Sequence, residues 1–338
     1  MNKRKTLQDV ALAAGVSKMT ASRALRGDKD VSQRNISKVQ EAARDIGYTG
    51  NHLAASLAGK QTDLIGVVLP NLNNIVFSHV LTGITEALYG TGLQPVCGIT
   101  DYDADREYEV IRNMLSWRPT GLIVTGTEFP EDTQKLLREA GIPVVQIMDT
   151  DGDPIGGCVG FSHYRVGYDM AQALAQNSKT RIGYIGCGLD KDTRARKRFD
   201  GFEAGLKDAG LELITISSPT GAPSVKRGRE LTEELWRDSP PLDCIYYSND
   251  DLAAGGYHYF NDLDIAVPQQ VGLVGCHGLD FISAIPGRIA TTRTPRKEIG
   301  QAAVQMVLQA FATGQPLEPR TQVLQPKIDL GLIAQQPT

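Results

Sequence analysis

Five cysteines in 338 residues, none of them in a CxxC pair, leave neither a disulfide framework nor a zinc site in prospect. Cys97, Cys158, Cys187, Cys244 and Cys276 read instead as small apolar core residues. The five histidines (His52, His79, His163, His258 and His277) are scattered without ligand spacing, so no metal is expected. No GxSxG, HExxH or P-loop motif occurs, and no catalytic residue or cofactor is assigned. Gly183-Tyr184-Ile185-Gly186-Cys187-Gly188 loosely resembles a dinucleotide loop. Its spacing is wrong for GxGxxG, which leaves a nucleotide-dependent α/β enzyme as the remote alternative. No apolar run approaches the ~18 residues of a membrane span. The opening MNKRKTLQDV has a basic flank but no apolar stretch behind it, unlike a signal peptide, so the expected location is the cytoplasm, on the nucleoid when bound to DNA.

What is present is an asymmetry of charge. Residues 1 to 60 hold 11 Lys and Arg against 5 Asp and Glu, whereas the remainder holds 24 against 34. A basic head that can neutralise phosphates precedes an acidic body that limits indiscriminate sticking to nucleic acid. Within the head, TLQDVALAAGVSKMTASRAL (Thr6 to Leu25) reads as two short helices joined at Ala14-Gly15-Val16. Thr6 caps the first, with Asp9 in the capping-box position and Leu7, Val10 and Ala11 on one apolar face. Gly15 permits the left-handed backbone that ends it. Ser17 caps the second helix, whose inner face is Ala21, Ala24 and Leu25. This is a helix-turn-helix pattern, and its second helix would enter the major groove with Lys18, Met19 and Ser22 forward and Arg23 placed for phosphate or base contact. Thr6, Ser17 and Thr20 complete the DNA-facing set in the head. A third helical pattern places Ile36, Val39, Ala42, Ala43 and Ile46 on one face before Gly47 stops it.

The head TLQDVALAAGVSKMTASRALRG, followed by GYTGNHLAASLAGKQTDLIGVV, resembles the lactose/galactose repressor (LacI/GalR) family of bacterial transcription regulators, and the resemblance extends over the whole chain. It implies that residues 51 to 58 form a hinge helix ordered when two subunits meet on operator DNA, with Asn51 and Ala54 near the DNA. Leu57 would be the wedge in the minor groove, where an apolar side chain partly unstacks a base step. A core contact with the body is the other reading of Leu57. The implied domains are residues 1–50 (DNA-binding head), 51–61 (hinge and linker) and 62–338 (effector-binding and dimerisation body).

From Asp63 onward strands alternate with helices: Leu64 to Leu69, Pro95 to Ile99, Gly121 to Thr125 and Pro143 to Met148, then a second series near 182–185, 213–216, 244–247 and 271–274. Such alternation predicts right-handed crossovers and mainly parallel sheets in two doubly wound halves. The fold class is α/β, a helix-turn-helix head followed by a body like a periplasmic binding protein. The halves would comprise about 62–160 with 293–322, and 161–292 with 323–338. Ligands of such sheets bind beyond the carboxyl ends of the strands. That placement selects Asn71, Asn73, Phe77, Asp149, Phe161, Arg198, Asn249 and His277, positions that also match the family's effector contacts. Asp250 is expected to cap the following helix and support the site from behind.

Where sugar-binding members of the family often carry an aspartate, this chain has His277, within Gly275-Cys276-His277-Gly278. A carboxylate accepts from sugar hydroxyls and repels an acid, whereas imidazole can donate to a carboxylate. His277 is therefore read either as the ligand of an acidic effector or as a satisfied buried histidine. Lys18-Met19, Met114-Leu115-Ser116-Trp117, Val159-Gly160-Phe161 and the His-Gly pair are similar to the family's gluconate-utilisation repressor branch, which implies a gluconate or ketogluconate effector. The expectation is a repressor of sugar-acid genes released from its operator by that effector. A neutral sugar, or corepression, would use the same parts. A two-fold operator requires at least a dimer, and the C-terminal segment lacks the sustained leucine heptads of a tetramer coil, so a homodimer is expected.

Overall fold

The computed structural model describes residues 5–26, 28, 30–49, 62–285, 289–314 and 317–335. The chain divides into two compact units between Thr62 and Asp63. Asn51, Ala54 and Leu57, the expected hinge contacts, lie outside the described residues.

The first unit is a bundle of α1 (Leu7–Ala14), α2 (Lys18–Arg26) and α3 (Gln33–Asp45). Both halves of the capping box at α1 are formed: the Asp9 amide donates to Thr6 Oγ1 at 3.3 Å, and the Thr6 amide to Asp9 Oδ2 at 2.7 Å. Gly15 adopts φ 60°, the left-handed conformation that a side chain would strain, and turns the chain into Val16. Ser17 Oγ then accepts the Thr20 amide at 3.0 Å and starts α2. Val10, Ala11, Ala14, Ala21, Ala24, Val39, Ala42 and Ala43 form the core. Leu25, expected inside, is 37% exposed. Ala21 and Ala24 take the buried positions of α2, and Leu25, about 100° further round the helix from Ala24, falls at the margin of that face.

The second unit contains two larger sheets. The first has the order β11-β5-β4-β3-β1-β2 and comprises β1 (Thr62–Leu69), β2 (Gln94–Ile99), β3 (Pro119–Thr125), β4 (Val144–Ile147), β5 (Gly157–Gly160) and β11 (Arg320–Val323). Packed with it are α4 (Ile75–Leu88), α5 (Ala104–Ser116), α6 (Glu131–Arg138) and α12 (Arg296–Thr313). The second sheet has the order β7-β6-β8-β9 and comprises β6 (Ile182–Ile185), β7 (Leu213–Ser217), β8 (Cys244–Tyr247) and β9 (Gly272–Val274), all paired in parallel. Its helices are α7 (His163–Gln176), α8 (Thr193–Asp208), α9 (Val225–Asp238), α10 (Asp250–Asp262) and the short α11 (Asp280–Ser283). An antiparallel pair, β10 (Thr291–Arg293) with β12 (Lys327–Asp329), lies on segments that pass between the two halves.

The near-continuous apolar strands, buried on both faces, explain why parallel pairing is stable here. Four cysteines are buried as expected, but Cys97, on edge strand β2, is exposed. One close approach positions the site below: α7 and α8 meet at Gly167 and Gly201, where an added Cβ would strike the Arg198 and Tyr164 carbonyls. Bare backbone at these two positions brings Arg198 of α8 against His163 at the start of α7. No helix among the described residues is long and apolar enough to cross a membrane.

Candidate effector cleft and DNA-facing helix

The carboxyl ends of the strands carry the body's unusual chemistry. Met148, just past β4, and His277, past β9, have positive φ values of 75° and 108° without being glycine. Such backbone costs roughly 1–3 kcal/mol per residue and persists where surrounding structure imposes it, commonly at binding sites. The Met148 carbonyl accepts from His163 Nε2 at 2.8 Å. Because a carbonyl only accepts, that nitrogen bears the proton, and His163 Nδ1 is free to accept from Arg198 Nη1 at 2.8 Å. Arg198 Nη2 donates to the Ser248 carbonyl, past β8, while Nε finds no partner among the described residues although it is buried. Phe161 lies against the imidazole, ring centroids 4.5 Å apart. One hydrogen-bonded chain thus ties both sheets' strand ends together.

Asp149 is 1% exposed and already engaged. Its Oδ2 accepts from Lys197 Nζ at 2.7 Å and its Oδ1 from the Asp151 amide at 2.9 Å. Lys197 also reaches Glu128 at 3.0 Å and the Asp151 carbonyl at 3.1 Å. Burial disfavours the ammonium, but its bonds to Asp149 and Glu128 outweigh that and hold its pKa above the ordinary value. Arg194, one turn earlier on α8, is buried, pairs with Asp192 at 3.4 Å and stacks over Phe77 (5.7 Å) and Tyr102 (5.8 Å) of the first half. Three cations of one helix face, Arg194, Lys197 and Arg198, therefore each take a different partner. A fourth, Arg296 at the start of α12, donates to the His277 carbonyl and, through Nε, to His79 Nδ1 at 3.2 Å.

Burial, reinforced by the surrounding cations, sets the protonation of the imidazoles. Burial first, then Arg198 and Arg194, hold His163 well below the usual histidine range. Burial, Arg198 and Arg296 do the same to His277. Both rings are neutral at pH 7 and can donate one hydrogen each.

The remaining expected contacts divide. Phe77, Asp149, Phe161, Arg198 and His277 are buried at the strand ends, whereas Asn73 is exposed and Asn71 Oδ1 folds its own turn by accepting the Asn73 amide at 2.7 Å. Asn249, expected as an effector contact, takes the helix cap expected of Asp250, which keeps only its expected place behind the strand ends. Asn249 Oδ1 caps α10 by accepting the Leu252 amide at 3.0 Å. Asp250 instead supports the cleft floor, accepting from the Leu279 amide at 2.6 Å and Thr291 Oγ1 at 2.7 Å. An amide with one oxygen suits a single cap bond, whereas two facing donors require a carboxylate. Sequence reasoning missed Arg194, Lys197, His163 and Arg296. The first two carried a signal, since Arg194 lies four residues from Arg198 and three from Lys197, the spacings that share a helix face. His163 and Arg296 gave none, because their partners are remote in sequence.

On the head, α2 presents Lys18, Met19 and Arg23 to solvent, with Met19 63% exposed. Thr20 and Ser22 are partly buried, and Ser17 and Thr6 are occupied as caps. Arg23 pairs with Asp30 at 2.8 Å across the exposed turn before α3.

A helix-turn-helix head followed by a body of two parallel-sheet halves defines the class of two-lobed DNA-binding regulators. Residues 6–51 match the model of bacterial regulatory proteins of the lacI family, and residues 62–326 that of periplasmic binding proteins and the sugar binding domain of the LacI family. The chain belongs to the LacI family of transcriptional regulators. It is similar to the HTH-type transcriptional regulator GntR of Pseudomonas aeruginosa, with 37% identity over 91% of this chain and 90% of that protein. To GntR of Escherichia coli it is 34% identical over 97% and 96% of the two chains. The crystal structure of a LacI-family transcriptional regulator from Silicibacter pomeroyi superposes with a TM-score of 0.92 at 42% identity, covering 97% of this chain and 98% of that one. These relatives are regulators rather than enzymes, which sets aside the dinucleotide reading of Gly183 to Gly188.

Proposed function

We propose that this protein represses genes of sugar-acid catabolism and is released from its operator when a gluconate- or ketogluconate-type acid enters the cleft between the two halves of the body. The observation that carries the acid is that two buried cations at the strand ends, Arg198 and Arg296, take only neutral partners among the described residues: His163 and the Ser248 carbonyl for the first, the His277 carbonyl and His79 for the second. Arg194, Lys197, Arg198 and Arg296 converge there, His277 can donate, and Asp149 is already occupied by Lys197. A carboxylate placed among these groups gains charge-assisted hydrogen bonds, which are roughly twice as strong as those between neutral groups, and bidentate pairing with a guanidinium that a lone hydroxyl does not offer. The names of the relatives in P. aeruginosa and E. coli support the same reading.

In this reading Phe77, Phe161, Arg198 and His277 contact the effector, with Asn71, Asn73 and Asn249 at its margin and Asp149 holding Lys197. Lys18, Met19, Ser22 and Arg23 face the operator, Thr6, Ser17 and Thr20 set the helix that carries them, and Asn51, Ala54 and Leu57 complete the contact. The protein acts in the cytoplasm as a homodimer, one head on each half-site. Binding that favours one arrangement of the two halves shifts the dimer away from the DNA-competent state, to the extent of its differential affinity for the two.

Calorimetry with gluconate, 2-ketogluconate and glucose, together with gel shifts on promoter DNA, tests this. Acids are expected to bind and to release DNA. Binding of glucose alone would remove the acid reading, and an acid that tightens operator binding would reverse the sign of the response.

A further inference from the structure

Two neighbouring residues of the second half, Lys197 and Arg198, are tied to two neighbouring residues of the first, Met148 and Asp149. Arg198 reaches the Met148 carbonyl through His163, over two hydrogen bonds of 2.8 Å each. Lys197 meets Asp149 directly, Nζ donating to Oδ2 at 2.7 Å. The same ammonium has Glu128 Oε1 at 3.0 Å and the Asp151 carbonyl at 3.1 Å, so three acceptors match its three hydrogens and none is left for a ligand. Asp149 is 1% exposed, and the Asp151 amide donates to its other oxygen at 2.9 Å. Which cation Asp149 takes decides which one remains. Arg198 donates to His163 and to the Ser248 carbonyl, both neutral, and its buried Nε has no partner among the described residues.

We propose that Lys197 is a specificity-determining residue that acts through Asp149: by neutralising this buried carboxylate it leaves the charge of Arg198 for the carboxylate of an acid effector. This rests on the acid reading of the cleft. The charges concerned lie close together, because the backbone at 148–149 and that at 197–198 are joined at both residues. An anion brought into a buried site needs an uncompensated cation there, since desolvating a charge without a partner is costly. A neutral polyol has no such need and binds by hydrogen bonds alone. Were Asp149 without a cation of its own, its charge would offset that of Arg198 and the advantage of an acid would be lost. Glu128, the other anion beside Lys197, is open to water and counts for less. Because Lys197 has no hydrogen to spare for the ligand, its effect is on the charge that the effector meets.

Calorimetric titration of the full chain with gluconate, 2-ketogluconate and glucitol, the neutral counterpart of gluconate, tests the assignment in the wild type, Asp149→Asn and Asp149→Asn/Lys197→Met. Asp149→Asn removes the anion and leaves Lys197 with Glu128, so the cleft gains one positive charge. A unit charge about 10 Å away, at an effective dielectric constant of about 20, changes the affinity of a monovalent ion by roughly tenfold. The acid should therefore bind about tenfold more tightly to Asp149→Asn and return to within about threefold of the wild type in the double variant, whose net charge equals the wild type's. Glucitol should differ by less than about threefold among the three proteins. An acid affinity unchanged or weakened in Asp149→Asn, or a gain shared by glucitol, would overturn the role of Lys197 and leave the acid reading standing. So would a double variant that keeps the gain, or one that loses the acid, which would make Lys197 a direct ligand. The double variant strands neither partner of the buried pair, so its arm stays decisive even if Asp149→Asn does not fold. If neither acid binds the wild type, the acid reading itself fails, and this inference with it.

Discussion

Arg198 and His163, 35 residues apart in sequence, are joined by a 2.8 Å hydrogen bond in which the guanidinium donates to the imidazole's unprotonated Nδ1. The other ring nitrogen donates to the Met148 carbonyl, so Arg198, which also reaches the Ser248 carbonyl, orders the junction between the halves. Arg198→Ala should weaken effector binding by about tenfold to a hundredfold, the worth of a hydrogen bond to a charged group, and abolish release from DNA while sparing operator affinity. His163→Ala combined with it should cost less than the sum of the two, with a coupling of about 0.5–3 kcal/mol in effector binding. Additive effects would show that the two act separately.

Acid stability should carry the signature of the neutral histidines. Both His163 and His277 have folded-state pKa values depressed below 6.5. Their contribution is complete above 6.5 and is lost as pH falls through the folded values, because the unfolded chain binds the extra protons first. Each should remove about 1 kcal/mol of stability between pH 6.5 and 5.5. Asp250, raised to about 7 by burial, works in the opposite sense, since its contribution is lost as pH rises toward 7. Urea melts at both pH values should show a smaller loss in His163→Gln than in the wild type.

Lys197→Met strands Asp149, which is buried and retains the Asp151 amide as a partner. The cost should be roughly 2–3 kcal/mol, the lower part of the range for a broken buried charge pair. Adding Asp149→Asn should recover most of it, because the uncompensated charge is gone. A double variant as unstable as the single one would mean that Lys197 acts through packing. Thermal unfolding of the three proteins decides between them.

Exchanging Lys18 and Met19 for another pair should redirect operator choice, whereas neutralising Arg34 or Lys38 should at most weaken binding to all sequences alike, lowering the salt slope by about 1 where a phosphate contact is lost. Selection from a randomised operator library, read at two salt concentrations, separates the two behaviours.

Arg23 commits Nη1 to Asp30, whose carboxylate also repels a phosphate brought to the same guanidinium. An exposed ion pair is worth about 0–1 kcal/mol, so Asp30→Asn should tighten DNA binding by up to about fivefold without changing sequence preference. Gel shifts with operator and unrelated duplex measure it. A gain confined to the operator would mean that Asp30 takes part in base selection.

Much of this molecule is legible locally. Thr6 with Asp9, Gly15 and Ser17 specify two capped helices and the turn between them, since capping and left-handed backbone depend on neighbours three or fewer residues away. The strands 182–185 and 244–247 were expected at the same limits at which they occur, because a short β-rich run bounded by turn residues needs no remote information. The three cations of α8 also lie in plain view in the sequence. What each one touches does not. Lys197 meets Asp149, Arg198 meets His163, Arg194 meets Phe77, and Asp250 is turned from the helix cap toward donors at Leu279 and Thr291. Local chain stiffness and hydrophobic period settle helix, strand and turn. The pairing of buried charges is a matter of geometry between segments far apart in sequence, and only the packed halves of the body decide it.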